Sequence, residues 1–328
     1  MKKGKIVKFM ALAITGLMVL SGCTTGIKAS GQSEDRAFTI GISQLAEHPA
    51  LDDTRRGFED GLKELGVDAE IIVQNAQGDI PISLSIAQKF VKDNVDLIFA
   101  IATPAAQTAK QATDSIPIVF SAVTDPVIAE LVDSRETPGA NITGTSDEAP
   151  IEAQLSIFKE LDKDIKKIGI IYSTDEANSK IQIDIVEKLA NKLDLEIITI
   201  GISEINDIAQ ATNSIVKKVD GIYTITDNMV ARAISVVAQI AKENNIITVG
   251  AEDSHVSGGI LVSDGISYYE LGRQSARMAK DILVDGKSPS TFPTEVSNNT
   301  KKSFNASTLK ALGLDENNSI FKDATKVD

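Results

Sequence analysis

The sequence predicts an α/β protein made of two lobes, each a doubly wound parallel sheet. Short runs rich in Ile and Val alternate with longer amphipathic segments, which is typical of parallel strands covered by helices on both faces. This alternation forms one series, is interrupted around residues 138–145, and then begins again. The 328 residues also exceed what a single hydrophobic core usually serves, so two lobes are expected.

The first series starts with a predicted strand at residues 38–43. The helix that follows carries Leu51, Phe58 and Leu62 on one face, and Gly66 is placed to end it. The remaining predicted elements of this series are the strand 70–74, the helix 81–92, the strand 96–101, a helix beginning at Pro104 and the strand 117–123.

The second series repeats the scheme after the interruption. Its first helix has apolar residues at i, i+4 spacing, and its last helix is ended by Gly286. The predicted elements are the strand 167–172, the helix 176–193, the strand 195–200, the helix 204–217, the strand 221–225, a helix spanning 230–241, the strand 246–249, an apolar run at 260–262 and the helix 268–283.

The first 23 residues predict export. Residues 2–8 are basic, residues 9–20 are apolar, and small residues then lead to Cys23, the only cysteine. An apolar run of this length is too short for a membrane span, which needs about 20 residues. One interpretation is a free thiol near a cleavage site. We favour a lipobox, in which residues 1–22 are a signal peptide, Cys23 is lipidated, and residues 23–36 form a polar tether.

Lipidation would hold the protein at the extracellular face of the cytoplasmic membrane, because two or more acyl chains anchor stably. The leader contains four of the 33 basic residues and none of the 46 acidic residues, so the mature chain would carry a net charge of −17. Such an acidic protein is poorly suited to nucleic acid, whose binding depends on neutralising phosphates with Lys and Arg. No nucleic-acid partner is therefore expected.

Polar residues follow the predicted strands, where open parallel sheets bind their ligands. Hydroxyl groups and helix N-termini there suit a carboxylate, and acidic side chains suit an ammonium, so together they favour an α-amino acid. The same residue types are common helix N-caps, and each taken alone is more typical of a cap. The candidate ligand-binding residues are Ser43, Gln44, Leu45, Thr103, Ser121, Thr124, Asp125, Ser146, Tyr172, Glu176, Asn178, Thr226, Asp227, Asn228 and Glu252.

Three roles are expected within this set. Thr103 and Ser121 would bind the carboxylate, and Asp227, with Asn178 or Glu252, would bind the ammonium. Tyr172 or Phe120 could face the ligand side chain, although a core position is the more typical one for Phe120.

Signatures of catalysis are weak. His48 and His255 are the only histidines and lack metal-ligand spacing, and His48 before a proline is interpreted as a loop residue near the cleft mouth. The sequence contains no G-x-S-x-G elbow, no Walker loop and no G-x-G-x-x-G after the first strand. We therefore expect no enzyme, no metal and no cofactor.

Eight short motifs, in order along nearly the whole mature chain, resemble the ABC transporter substrate-binding proteins of the TrpX type. They are His48-Pro49-Ala50-Leu51-Asp52 with Gly57-Phe58 and Gly61-Leu62, then Ala102-Thr103-Pro104-Ala105-Ala106-Gln107, Ile116-Pro117-Ile118-Val119-Phe120, Val123-Thr124-Asp125-Pro126, Gly144-Thr145-Ser146-Asp147, Glu176-Ala177-Asn178-Ser179, Thr226-Asp227-Asn228 and Tyr269-Glu270-Leu271-Gly272.

This resemblance implies a type I periplasmic-binding fold with three crossovers between lobes that close on a ligand. It implies discontinuous lobes, the N-terminal one at residues 37–143 plus 260–285 and the C-terminal one at 144–259 plus 286–328. It also implies an ABC permease and its ATPase as partners, and an aromatic amino acid, tryptophan first, as ligand. A receptor for another amino acid or a nucleoside is the nearest alternative, and an exported enzyme a more distant one. A sugar-sensing transcription regulator would carry a helix-turn-helix in place of the leader.

Overall fold

The computed structural model describes residues 37–297 and 300–328. The predicted signal peptide 1–22, the lipidation site Cys23 and the tether 23–36 lie outside the described residues. Within the described part of the chain, no helix is both long and apolar enough to cross a membrane.

The first lobe is built on a six-stranded sheet in the order β11-β5-β4-β3-β1-β2, and all of its strand pairs are parallel. The strands β3, β4 and β5 are buried along their whole length, as expected for a sheet covered on both faces. The strands are β1 (Phe38–Gln44), β2 (Ala69–Asn75), β3 (Leu97–Ile101), β4 (Ile118–Val123), β5 (Ile142–Ser146) and β11 (Glu295–Val296).

Four helices cover this sheet: α1 (Pro49–Glu64), α2 (Ile80–Lys92), α3 (Thr103–Ala112) and α10 (Tyr268–Leu283). The helices α1 and α10 pack very closely, because a Cβ at Gly57 would lie 2.0 Å from the carbonyl oxygen of Tyr269. A Cβ at Gly272 would lie equally close to the carbonyl oxygen of Thr54. Behind α1, the rings of Phe58 and Phe99 stack at 3.7 Å in the core. These two glycines thus position the N-terminus of α10 beside the carboxyl edge of the sheet.

The second lobe is built on a seven-stranded sheet in the order β13-β12-β10-β9-β8-β6-β7. Its pairs are parallel except for β10 with β12, which is antiparallel. The strands are β6 (Lys167–Ser173), β7 (Glu196–Ile202), β8 (Gly221–Thr224), β9 (Ile247–Gly250), β10 (Val262–Ile266), β12 (Thr300–Asn305) and β13 (Thr325–Val327).

Helices cover both faces of the second sheet and enclose a separate hydrophobic core on each face. The helix predicted at 230–241 is broken, because the backbone of Ala233 leaves helical geometry at φ −118° and ψ 21°. The helices of this lobe are α4 (Ile151–Leu161), α5 (Ala177–Ala190), α6 (Ile208–Ile215), α7 (Asn228–Arg232), α8 (Ile234–Glu243), α9 (Asp253–Ser257), α11 (Ala306–Ala311) and α12 (Ser319–Lys322).

The chain passes between the two sheets three times: after β5, after β10 and after β11. The two doubly wound lobes with three crossovers are therefore confirmed, but the sheet memberships move each predicted boundary. The segment 138–145 was expected to be a join, yet β5 pairs with β4 in the first sheet. β10 belongs to the second sheet rather than the first, and β11 to the first sheet rather than the second. Such short edge additions carry too little hydrophobic pattern to be assigned from sequence.

Candidate ligand-binding site

A small cavity lies between the lobes at the carboxyl ends of the parallel strands. About 240 Å³ of space separates its walls, less than the roughly 300–1,000 Å³ of pockets for drug-sized ligands. The first lobe contributes residues that follow β1, β4 and β5, together with the start of α10, and the second lobe contributes residues that follow β6, β8 and β9. The lining residues are His48, Leu51, Ala122, Thr124, Asp147, Asn178, Thr226, Asn228, Glu252 and Tyr268.

An outer pocket adjoins this inner cavity and opens to solvent. Its space, including the open mouth, is about 1180 Å³, and Asn228 lines both compartments. Leu45 and Pro104 of the first lobe face Glu176 and Met229 of the second lobe across it. The cleft is thus divided into a closed inner part and an open outer part.

Three contacts join the lobes across the cleft. His48 Nε2 lies 3.1 Å from Asn228 Oδ1, between the two compartments. The hydroxyl oxygens of Thr124 and Thr226 lie 3.4 Å apart in the inner cavity. At the mouth, Arg232 Nη1 donates to the backbone carbonyl of Gln77 at 3.0 Å. The lobes are therefore in contact, and the inner cavity is enclosed.

The position of His48 differs from the sequence interpretation. Instead of lying in a loop at the mouth, it occupies the N-cap position of α1 with only 5 % of its surface exposed. Burial lowers the pKa of its imidazole to about 4, so the ring is neutral at pH 7. His48 is therefore a buried interlobe residue.

Glu176 organises the second wall of the cleft. Its Oε1 accepts from the backbone N–H of Met229 at 3.1 Å, and its Oε2 accepts from the backbone N–H of Asn228 at 3.2 Å. The side-chain amides of Asn178 and Asn228 also donate to Oε2. Burial, followed by the nearby charge of Asp227, raises the pKa of Glu176 to about 8. This carboxyl group fixes the start of α7 and holds both amide side chains that reach the inner cavity.

Asp227 does not have the ammonium-binding role expected of it. It caps α7 by accepting from the backbone N–H of Val230 at 2.8 Å through Oδ1. Its Oδ2 accepts from the backbone N–H of Ser173 at 2.6 Å and from the hydroxyl of Ser179 at 2.7 Å. The side chain is fully buried behind the cleft, and it does not line the inner cavity. Its hydrogen-bond partners belong to the protein, so its function is to hold β6, α5 and α7 together.

The inner cavity is acidic. Burial raises the pKa of Asp147 to about 6 and that of Glu252 to about 8. No Lys or Arg is among the residues that line it, and in the described part of the chain no cluster of His, Cys, Asp and Glu could hold a metal ion. A cationic group would relieve the cost of burying these carboxylates, since an opposite charge favours the ionised form.

Two hydroxyl groups of the first lobe have no hydrogen-bond partner among the described residues although both are buried: Ser43 Oγ at the end of β1 and Thr103 Oγ1 at the start of α3. Ala102, the N-cap residue of α3, provides no side-chain cap and has a φ of +84°, in the region that favours glycine. The strand β3 that precedes α3 lies between β4 and β1, whose following residues line the inner cavity. The free N–H groups and hydroxyls at this helix start suit an anion.

The other predicted site residues divide by location. Thr124, Asn178, Thr226, Asn228 and Glu252 line the inner cavity, and Leu45, Glu176 and Asn228 line the outer pocket. The remaining residues, outside both linings, are Ser43, Gln44, Thr103, Ser121, Asp125, Ser146, Tyr172 and Asp227.

Several residues of this last group have structural partners. The Ser121 hydroxyl lies 2.9 Å from that of Thr145, and Gln44 donates to the Ala46 carbonyl at 2.7 Å. Asp125 caps the turn that follows β4, Ser146 donates to the Thr124 carbonyl, Tyr172 packs against the core of the second lobe, and Phe120 is fully buried in the first core. Serine, threonine and aspartate after strands act here as caps and braces as often as they reach the cavity.

Sequence reasoning missed His48, Leu51, Ala122, Asp147 and Tyr268 as cavity residues. Asp147 and Tyr268 form a pair in which the phenol donates to Oδ2 at 2.8 Å. They come from β5 and α10, which lie 121 positions apart in sequence. Asp147 stands next to Ser146, so the strand end was identified and the wrong side chain chosen. Tyr268 carries no local signal, because only the close packing of α10 on α1 brings it to the cavity.

Two lobes that meet around a closed polar cavity define a solute-binding protein rather than an enzyme. The chain belongs to the ABC transporter substrate binding protein family, whose profile matches residues 39–328. A tyrosine-binding protein of Clostridioides difficile is 41 % identical over 323 residues, which cover 95 % of this chain and 93 % of that protein. An uncharacterised protein of Rickettsia prowazekii is 26 % identical and covers 75 % of this chain and 76 % of its own length.

Solved structures agree with this family. An ABC domain of Streptococcus pneumoniae in complex with L-Trp superposes with a TM-score of 0.85 at 32 % identity, covering 89 % of this chain and all of that one. The ligand-free, open structure of a C. difficile substrate-binding protein with adhesive properties gives 0.69 at 42 % identity, covering 89 % and 99 %. The L-Trp complex is the better match although its sequence is less similar. This is the result expected when the lobes are closed, as the interlobe contacts show.

Proposed function

We propose that this protein is the extracytoplasmic receptor of an ABC importer and captures a single aromatic amino acid, tyrosine or tryptophan, in the inner cavity. The observation that carries the proposal is an enclosed, acidic cavity with walls from both lobes and no basic side chain in its lining. An α-ammonium group matches that charge, and the start of α3 with Ser43 and Thr103 provides a place for the α-carboxylate.

The choice of an aromatic ligand draws on the relatives. One that is 41 % identical is named for tyrosine, and a structural neighbour that is 32 % identical holds L-Trp. Leu51, Ala122 and the ring of Tyr268 form the apolar part of the cavity lining, against which an aromatic ring can pack. Because the ligand would touch both lobes only in the closed form, it would shift the population toward that form, which a permease and its ATPase could then recognise.

Thermal unfolding of the mature protein against a metabolite panel tests this function. A ligand present at about 100 times its dissociation constant adds about 2.7 kcal/mol of stability, so tyrosine or tryptophan should raise the melting temperature by several degrees. The chain contains no Trp, so the fluorescence of added tryptophan reports its own burial. Stabilisation by a sugar or a nucleoside, with no response to any amino acid, would reject the proposal.

We also propose that the protein is anchored by lipid at Cys23 after removal of residues 1–22. The basic, apolar and small-residue order of the leader supports this, as does the presence of a single cysteine at its end. Intact mass measurement of membrane-extracted protein should give a chain that begins at Cys23 and carries acyl chains. Cys23→Ala should release the protein from the membrane fraction, and a variant that stays attached would exclude this anchor.

A further inference from the structure

Three buried polar atoms in the lining of the inner cavity have no hydrogen-bond partner among the described residues. They are His48 Nδ1, Asp147 Oδ1 and Asn178 Oδ1, on side chains that are 5 %, 4 % and 3 % exposed. An unpaired buried polar group costs about 1–3 kcal/mol. Three such atoms around one small space indicate that a ligand group completes their bonding.

Asn178 and Asp147 each present an acceptor. The Asn178 amide nitrogen donates to the backbone carbonyl of Thr226 at 2.8 Å. A carbonyl can only accept, so this bond fixes the amide orientation and leaves Oδ1 as the unpaired atom. In Asp147, Oδ2 is taken by the phenol of Tyr268, and Oδ1 is the unpaired atom.

His48 presents the third acceptor. Glu176 receives two backbone N–H groups and the Asn228 side-chain amide, so Asn228 must turn its Oδ1 toward His48. An amide oxygen can only accept, and the bond of 3.1 Å therefore requires a proton on His48 Nε2. In the neutral ring the lone pair is then on Nδ1, the unpaired atom.

We propose that His48 Nδ1, Asp147 Oδ1 and Asn178 Oδ1 together bind the primary ammonium group of the ligand, each accepting one of its three N–H bonds. The inference rests on the proposed amino-acid function and assigns that end of the ligand to named atoms. A primary ammonium has three donors and no acceptor, which matches three acceptors and no unpaired donor. Methylation or acylation of the nitrogen removes at least one donor and adds bulk to a small cavity.

The same subsite couples the ligand to closure. Asp147 belongs to the first lobe and Asn178 to the second, so one ammonium group bonds to both. His48 bonds the ligand through Nδ1 and the opposite lobe through Nε2. Protonation of His48 would place a donor against the ammonium, so the subsite requires the neutral ring. The ammonium thus holds the lobes together directly and through His48.

Ligand analogues test the subsite in the wild-type protein. Dissociation constants are measured by titration calorimetry for L-tyrosine, N-acetyl-L-tyrosine and 3-(4-hydroxyphenyl)propanoate, and for L-tryptophan and 3-indolepropanoate. We expect the two analogues that lack the amine, and the N-acetyl compound, to bind at least about 100-fold more weakly than the parent amino acid. Binding of the des-amino compounds within about 3-fold of the parent would overturn the proposal.

The isosteric variant Asp147→Asn tests the protein side. Its amide oxygen keeps the bond from Tyr268, so we expect a normal circular dichroism spectrum, while L-tyrosine binding weakens at least about 30-fold. Glu148→Gln is the matched control, because it removes the same charge one residue away, outside the cavity lining. Wild-type affinity in Asp147→Asn, or an equal loss in both variants, would overturn the subsite.

His48→Ala provides a second test on a different element and should also weaken L-tyrosine at least about 10-fold. An unchanged affinity would remove His48 from the subsite. The outcomes for the two proposals remain distinct. If the wild-type protein binds neither L-tyrosine nor L-tryptophan, the proposed function fails. If the wild-type protein binds one of them and Asp147→Asn binds it equally well, only this inference fails.

Discussion

The two walls of the cleft differ in how far their polar groups are satisfied by the protein itself. On the second wall, Asp227 and Glu176 each accept several hydrogen bonds from backbone and side chains of their own lobe. On the first wall, Ser43, His48, Thr103 and Asp147 each retain a buried atom without a partner among the described residues. Asn178 is the residue of the second wall that presents such an atom to the inner cavity.

This difference separates two tasks that use the same residue types. The bonds of the second wall form within one lobe, so that wall is preorganised and keeps its shape without ligand. The first wall exposes its unpaired groups to water in an open cleft and needs a ligand to replace that water when the cleft closes. We infer that a ligand binds first to the first lobe and is then covered by the second, which contributes Asn178, Asn228 and Glu252 to the cavity.

Removal of the Asp227 carboxylate should have the largest effect, and on stability rather than on recognition. Asp227→Ala leaves two backbone N–H groups and the Ser179 hydroxyl unpaired in a fully buried place, so we expect a loss of about 3–5 kcal/mol of unfolding free energy. Urea denaturation measures it. Asp175→Ala, an exposed acid of the same segment, is the control and should change stability by less than about 0.5 kcal/mol. A fully stable Asp227→Ala that has lost affinity would reverse the two walls.

The next effect compares two hydroxyl groups that the sequence could not distinguish. Thr103→Val removes a hydroxyl with no partner in the described protein, so stability should hold while affinity for the amino acid falls about 10- to 100-fold. Ser121→Ala removes a hydroxyl paired with Thr145, so it should cost about 1 kcal/mol of stability and alter affinity less than about 3-fold. Calorimetry and urea denaturation on both variants measure the contrast, and equal behaviour of the pair would contradict it.

The comparison of walls also shows what could be predicted from sequence. Helices and strands follow from periodicity, because burial dictates where Ile and Val must recur. β12 could not be predicted this way, since its sequence TKKSFN has four polar residues and depends on pairing with β10. The carboxyl edge was identified correctly as the site. Whether Asp227 caps a helix or binds a ligand depends on which N–H groups lie within 3 Å, and local sequence does not record that.

Asp147 illustrates the remaining gap. Its neighbour Ser146 was chosen because hydroxyls after strands were expected to bind ligand, whereas Ser146 is used by the Thr124 carbonyl. Asp147 is held in place by Tyr268, whose position depends on the glycine contacts between α1 and α10. A contact over this sequence distance is a property of the folded chain. The resemblance to the binding-protein family therefore predicted the fold and the kind of ligand more reliably than it predicted individual side chains.

A smaller effect is expected from pH, through the carboxyl groups that the protein leaves least satisfied. Burial raises the pKa of Asp147 to about 6 and of Glu252 to about 8, so both bind protons near neutrality before the ligand arrives. An ammonium in the cavity favours their ionised forms and lowers both pKa values, so binding releases protons. Affinity should therefore rise with pH, by about tenfold between pH 5.5 and 7.5.

Calorimetry in two buffers of different ionisation enthalpy measures the protons released. Glu252→Gln keeps the shape of the side chain, so it should reduce that number and flatten the upper part of the pH profile. Affinity that falls as pH rises would contradict the assignment of the acidic cavity to a cation.

The smallest effect should come from the mouth of the cleft, where the walls meet in solvent. Arg232 donates to the Gln77 carbonyl across the cleft at 3.0 Å, but its side chain is exposed, so water replaces most of this bond when it is lost. Arg232→Ala should weaken amino-acid binding about 2- to 5-fold. The change should appear in the dissociation rate, because the bond exists only when the lobes are closed.

Lys180→Ala is the matched control for Arg232. Lys180 is a cation that lines the same outer pocket, and the described residues form no ion pair with it. Stopped-flow measurement of ligand release should show a faster rate for Arg232→Ala and none for Lys180→Ala. A loss above about 30-fold in Arg232→Ala would mean that closure depends on the mouth. The unsatisfied first wall would then explain only where the ligand sits, and not what keeps the cleft closed.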